Sequence, residues 1–252
     1  MPNLMFDREE PPLYWAPGKH GKPKLNTMKK LLCLAAAATI AAGAMAQGTG
    51  LKFGAKAGLN VSKNFILTDL SIEHLPKSKV GFNLGGMMNY GFGRRGNLSV
   101  LVELLYDQKG AKVWDVINDD GDEDYVNGNL SYLTVPIQAR YRFKFGLYLE
   151  GGPYIGALLG ASRDGETEYD WIDDNGDETK RKYREDLKGS DFGFALGLGY
   201  IHDAGWGVGY RGYLGLRNID NPEGNDPYNG YSYYAYNRCG SLSFMYFFGW
   251  DD

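Results

Sequence analysis

Between Leu133 and Phe145 the chain alternates apolar and polar side chains with a period of two. Leu133, Val135, Ile137, Ala139, Tyr141, Phe143 and Phe145 fall on one face, and Thr134, Pro136, Gln138, Arg140, Arg142 and Lys144 on the other. That period marks a β-strand, whose successive side chains point to opposite sides of the sheet. The pattern recurs and predicts eight strands, over 51–63, 79–92, 97–109, 129–145, 147–160, 190–202, 206–217 and 238–249. Each is at least as long as the roughly 9–11 residues a tilted strand needs to cross a bilayer.

The connections alternate in length. Gly93 to Gly96, Gly146 and Asp203 to Gly205 make short turns. Asn64 to Ser78, the acidic stretch around Asp119 to Asp124, Ala161 to Gly189 and Asn218 to Asn237 make long loops. Strands with one apolar face, joined in this way, predict an all-β fold: an eight-stranded antiparallel up-and-down transmembrane β-barrel with its apolar face in outer-membrane lipid. The short turns and both termini are then periplasmic, and the long loops extracellular. Tyr90, Phe92, Tyr141, Phe143, Tyr200, Trp206, Tyr246 and Phe248 gather toward the short turns, where a membrane–water interface favours amphipathic rings.

The start of the chain supports export. Met28-Lys29-Lys30 is a basic n-region, Leu31 to Ala42 an apolar run, and Ala44-Met45-Ala46 a cleavage site, which together make a secretory signal peptide. The reading is therefore a mis-assigned N-terminal extension over 1–27, a signal peptide over 28–46 and the barrel domain over 47–252. The mean hydropathy is negative and no later apolar run approaches the roughly 20 residues of a spanning helix, which excludes a helical membrane bundle. Glycine (36 residues) and tyrosine (19) are abundant, as a barrel with a crowded interior and an aromatic girdle requires. Beyond residue 46 the chain carries 21 Lys and Arg against 28 Asp and Glu, a balance that argues against nucleic acid as a partner. Cys33 lies within the signal and Cys239 stands alone after it, so no intrachain disulfide is expected.

The polar face of the strands supplies the candidate lumen residues. Lys56, Glu103, Arg140, Arg142, Glu150, Asp191 and Arg211 lie on it, spaced by many glycines. An eight-stranded interior is just wide enough for side chains to fill. The expectation is an ion-pair network of Lys56, Glu103, Arg140, Arg142, Glu150 and Arg211, with Glu103 and Glu150 as buried anions. Leaving one of those charges unpaired would cost roughly 3–5 kcal/mol. A narrow wet pore is the second reading of the same glycines.

Catalytic and metal chemistry find little support. His74, with Ser71, Glu73 or Ser78, is the one candidate for hydrolysis. It lacks an organised acid–base constellation, so no catalytic residue is assigned. No Cys or His spacing suits zinc. Two loops cluster carboxylates around a glycine: Asp119, Asp120, Asp122 and Asp124, then Asp173, Asp174, Asp177 and Glu178. Such clusters suit Ca²⁺, but EF-hand spacing would put Val116 or Trp171 at the first ligand position. Solvated acidic loops are the expectation, with Ca²⁺ at most a weak ligand and no other cofactor. Tyr228, Tyr231, Tyr233, Tyr234 and Tyr236 make either a surface recognition patch or an aromatic upper rim.

A series of motifs resembles the PorT-like outer-membrane β-barrel proteins, often called porin family. The residues that carry it are Phe53-Gly54-Ala55-Lys56-Ala57-Gly58-Leu59-Asn60, Glu103-Leu104-Leu105-Tyr106-Asp107-Gln108-Lys109-Gly110 and Tyr132-Leu133-Thr134-Val135-Pro136. Leu149-Glu150-Gly151-Gly152-Pro153-Tyr154, Gly197-Leu198-Gly199-Tyr200 and Gly215-Leu216-Arg217-Asn218-Ile219 continue it. The resemblance implies a barrel inserted by the barrel assembly machinery, and it accommodates Pro136 and Pro153 within strands. Such barrels usually end on an aromatic residue, whereas this chain runs past Phe248 and Trp250 to Asp251-Asp252. The functional expectation is a non-catalytic protein of envelope structure or surface interaction, with an unidentified extracellular or periplasmic protein partner. A small-solute channel and an accessory role in protein secretion are the alternatives.

Overall fold

The computed structural model describes residues 50–67, 77–92, 97–117, 123–172, 177–221 and 234–250. The strands are β1 Leu51–Leu67, β2 Lys79–Phe92, β3 Leu98–Ile117, β4 Glu123–Arg142 and β5 Leu147–Arg163, followed by β6 Glu168–Ile172, β7 Glu178–Lys182, β8 Ser190–Ile201, β9 Trp206–Gly215 and β10 Tyr234–Phe248. Eight of them close an antiparallel barrel in which β1 pairs with both β2 and β10, while β6 and β7 form a separate two-stranded sheet. Every barrel strand lies beside its neighbour in sequence once β6 and β7 are set aside, so the barrel is up-and-down and leaves no edge unpaired.

Side-chain alternation sets which surface faces out. In β5, exposed and buried residues alternate almost without interruption from Leu147 to Leu159. Leu84, Leu104, Leu149, Leu196, Leu198, Phe244 and their neighbours lie exposed on the outer wall. A continuous apolar wall of this kind needs an apolar surrounding rather than water. At the short-turn end rings meet edge to face, as in Tyr90–Phe92 and Tyr141–Phe143, with centroids 5.0 Å apart in each pair.

Two links are more ordered than the alternation predicts. The stretch expected as loop after residue 109 is largely strand, because Lys112, Val113 and Trp114 pair with Asn127, Val126 and Tyr125. Gly110 explains why the pattern hides this. Its φ of 136° places it where a side chain is strained, and the outward position that follows is the exposed Lys112, so the apolar outer face ends there although the ladder continues in register to Trp114. The second case is the Ala161 to Gly189 link, which contains β6 and β7. There Glu168 faces Lys182 and Asp170 faces Lys180 across the ladder. Opposed charges stabilise such a hairpin without giving it an apolar face that periodicity can detect. In the other direction, β4 stops at Arg142, short of the predicted 145, because Phe143 and Gly146 already close the turn, with the Gly146 N–H donating to Phe143 O.

Pro136 and Pro153 sit where the ladders lapse. The β3–β4 pairing skips from Val102↔Ile137 to Leu105↔Thr134, and β4–β5 from Ala139↔Gly151 to Pro136↔Tyr154. A proline without an N–H costs little at such a gap, and the Gln138 amide donates to Pro153 O at 3.2 Å to fill one of them.

The inner wall is not polar throughout. At the short-turn end Met87, Leu101, Tyr148, Ile201, Met245 and Phe247 form an apolar cluster against which Trp250 packs. At the long-loop end Leu130, Tyr132, Leu158, Ala161 and Ile219 form another, covered by Tyr183 and Leu187. The charged residues lie between these two plugs.

Candidate functional site

Among the described residues the buried charged side chains are Lys56, Lys109, Arg140 and Arg211 against Glu103, Asp107, Glu150 and Asp191. The signs balance. They occupy two levels of the lumen, and the lower level is a belt running across the barrel. Lys56 Nζ on β1 lies 3.1 Å from Glu103 Oε1 on β3. Arg211 on β9 donates through Nη1 to Glu103 Oε2 and through Nε to Glu150 Oε1, the latter at 2.7 Å. Arg140 on β4 completes the belt with two bonds to Glu150 Oε2, at 2.7 and 3.0 Å. Each carboxylate is thus held between two cations, and its pairs are charge-assisted hydrogen bonds in low-dielectric surroundings.

Glycines make that reach possible. Gly197 on β8 stands in register with both Glu150 and Arg211. A Cβ there would lie 2.7 Å from Glu150 Oε1. Without one, Arg211 and Glu150 meet across the intervening strand.

The upper level is built differently. Lys109 Nζ is surrounded by the rings of Tyr132, Tyr154 and Tyr213, whose centroids are 5.3, 4.9 and 5.1 Å away. Asp107 and Asp191 stand at 3.8 and 3.9 Å, and the ammonium makes no hydrogen bond among the described residues. The two carboxylates find neutral donors instead. Asn60 donates to Asp107 at 2.8 Å, and Asn237 and Tyr154 donate to Asp191 at 3.0 and 3.2 Å. Tyr213 links the levels, since its hydroxyl accepts from Arg211 at 3.1 Å while its ring faces Lys109.

Five of the six residues expected in the lumen network (Lys56, Glu103, Arg140, Glu150 and Arg211) therefore come together. Arg142 does not join them. It lies at the short-turn rim, 2.7 Å from Asp203 and with its guanidinium 5.2 Å from the Trp250 ring. The reason is positional: β4 ends at Arg142, so its side chain meets the turn after β8 rather than the lumen centre. Asp107 and Lys109 were missed by the sequence reasoning. Their signal is parity, because 103, 105, 107 and 109 share one face, but 109 is also the predicted end of the strand, where parity alone does not separate lumen from rim.

Among the acidic candidates, Asp119, Asp120, Asp122, Asp173 and Asp174 lie outside the described residues. Asp124 belongs to β4, and Asp177 and Glu178 stand exposed at the start of β7. Among the described residues no three His, Cys, Asp or Glu side chains are grouped to hold a metal. His74, Ser71 and Glu73, with Tyr228, Tyr231 and Tyr233, also fall outside them. His202 stacks on Trp206 at 4.9 Å, and its Nδ1 accepts the Ala204 N–H at 3.0 Å, a turn-closing arrangement.

The long-loop end carries a third cluster. Tyr169 on β6 stacks on Tyr183 at 4.8 Å and donates to Asp186 at 3.0 Å, while Arg181 on β7 pairs with Asp186 at 2.9 Å. Burial raises the Asp186 carboxyl above its ordinary range, against the opposing pull of Tyr169 and Arg181. Burial, with Asp186 beside it, pushes the Tyr169 hydroxyl up to about 12.

Comparison with known proteins places this architecture. The solved structures it resembles include Ail, the attachment invasion locus protein of Yersinia pestis, at 16% identity and a TM-score of 0.40 over 79% of this chain and 99% of that one. Neisserial surface protein A matches at 15% identity and a TM-score of 0.38 over 78% of this chain and 96% of that one. OprG from Pseudomonas aeruginosa matches at 11% and 0.41, over 79% and 97%. No curated protein matches the chain. The family model described as outer membrane protein beta-barrel domain matches residues 45–221. With the closed eight-stranded barrel and its apolar outer wall, this match makes the chain a member of the outer-membrane β-barrel domain family.

Proposed function

We propose that the protein is a closed, non-catalytic barrel that anchors its long-loop end at the cell surface, for envelope structure or for contact with a protein partner. The carrying observation is the lumen, where four buried cations and four buried anions lie between two apolar plugs. A pore needs water along that axis, whereas an interior filled by paired side chains makes a rigid anchor. The β3–β4 hairpin and the β6–β7 sheet support the second half of the reading, since spanning a bilayer requires neither the 20 residues of β3 nor an added hairpin. The motif series from Phe53 to Ile219 further supports a place beside the PorT-like barrels, and with it an accessory role in secretion as the partner contact.

Orientation is the test. Single cysteines at Lys180 on β7 and Ala204 in a short turn are both exposed, and the native Cys239 is buried and serves as the blank. A membrane-impermeant maleimide should label Lys180→Cys on intact cells and Ala204→Cys only after the outer membrane is permeabilised. The reverse pattern overturns the reading. Comparing secreted proteins in a deletion strain then separates a secretion role from a structural one.

A further inference from the structure

The segment carrying β6 and β7 does not sit flush on the barrel. Between it and the inner wall of β3, β4 and β5 lies a cavity of about 410 Å³, within the size range of small-molecule sites. Its barrel side combines the small residues Gly110, Ala111, Gly128 and Ala161 with Val126 and Leu130, so most of that wall is apolar. Tyr169 and Tyr183 face it from the other side as a tilted stack at 4.8 Å and 33°. Two apolar walls make a slot suited to a flat ring.

The edge of the slot is polar and balanced in sign. Arg163, Asp186 and Asp220 line it, and Arg181 pairs with Asp186 at 2.9 Å. A charged ligand would lose hydration there without meeting a net counter-charge. A sugar ring, with hydroxyls around its whole perimeter, would leave some of them unpaired against Ala111, Val126 and Leu187. A ring with two apolar faces and one polar edge leaves nothing unpaired. We propose that this slot binds an uncharged aromatic compound of one or two rings that carries a hydroxyl at its edge. The site stands apart from the lumen belt, but Leu130 and Ala161 in its wall belong to the apolar cluster at the long-loop end, with Tyr183 and Leu187 packed against them.

The experiment uses the full barrel in detergent with ¹³C-methyl alanine and 2-naphthol as the probe. Ala111 and Ala161 should shift saturably. Outward-facing Ala55 and Ala57 should report only unsaturable partitioning into the micelle, and buried Ala195 should not move. Ala161→Phe should fill the slot and abolish the Ala111 shift. Tyr183→Ala, which lies off the barrel wall and serves even if Ala161→Phe does not fold, should weaken binding about 3- to 10-fold through the lost ring contact. Methyl glucoside and naphthalene-2-sulfonate should produce no saturable shift. Ala111 and Ala161 moving only in parallel with Ala55, binding unchanged by Tyr183→Ala, or an equal response to the glucoside or the sulfonate would each overturn the proposal.

Discussion

The belt and the Lys109 level bury charges in the same lumen and satisfy them in opposite ways. In the belt each carboxylate accepts direct hydrogen bonds from cations, and Arg211 alone bridges Glu103 and Glu150. One level up, the cation is held by ring faces and by ion pairs of 3.8 and 3.9 Å, while its carboxylates bond to neutral amides and a tyrosine. The difference teaches where rigidity resides. A guanidinium can serve two carboxylates in a fixed geometry, so the belt ties five strands together through one bridging side chain. A compact ammonium among tyrosines gains cation–π attraction but fixes no direction.

Substitution should expose that contrast. Arg211→Met is expected to cost about 3–5 kcal/mol in a urea unfolding titration in lipid, because it removes several buried charge-assisted hydrogen bonds at once, to Glu103, Glu150 and Tyr213. A loss no greater than that of Lys109→Met would break the comparison. Lys109→Met should cost about 1–3 kcal/mol, the range for a buried group losing part of its partnership, since Asp107 and Asp191 keep their amide and hydroxyl donors. The Arg142–Asp203 pair supplies the baseline, because the Asp203 side chain is exposed. Arg142→Ala should change stability by less than about 1 kcal/mol in the same titration, as surface pairs do.

Much of this was legible in the chain. Period-two alternation placed the eight barrel strands, and the same parity put Lys56, Glu103, Arg140, Glu150 and Arg211 on one wall. What it could not read had physical causes. Gly110 carries no side chain and the exposed Lys112 follows it on the outer face, which concealed the extension to Ile117, while Asp107 and Lys109 keep the parity of Glu103. The β6–β7 hairpin is polar on the face where Glu168 and Asp170 oppose Lys182 and Lys180, and its contacts are made by Tyr169, stacked on Tyr183, and Arg181, paired with Asp186, which lie on the other face and beyond the strands. The apolar plugs escaped for a third reason. Inward residues such as Leu101, Phe247 and Leu130 break the rule that the lumen face is polar, because they pack into apolar clusters at its two ends. Arg142 shared the parity of Arg140, yet parity carries no information about depth, and only the end of β4 separates the two roles.

Closure of the lumen is the claim on which the rest depends, and single-channel recording of the purified protein in planar bilayers tests it most directly. The paired belt between two apolar plugs predicts no steady current, for the wild-type barrel and for Arg142→Ala alike. Stable openings in the wild type whose ion selectivity changes in Lys56→Met would contradict the account and make the protein a pore.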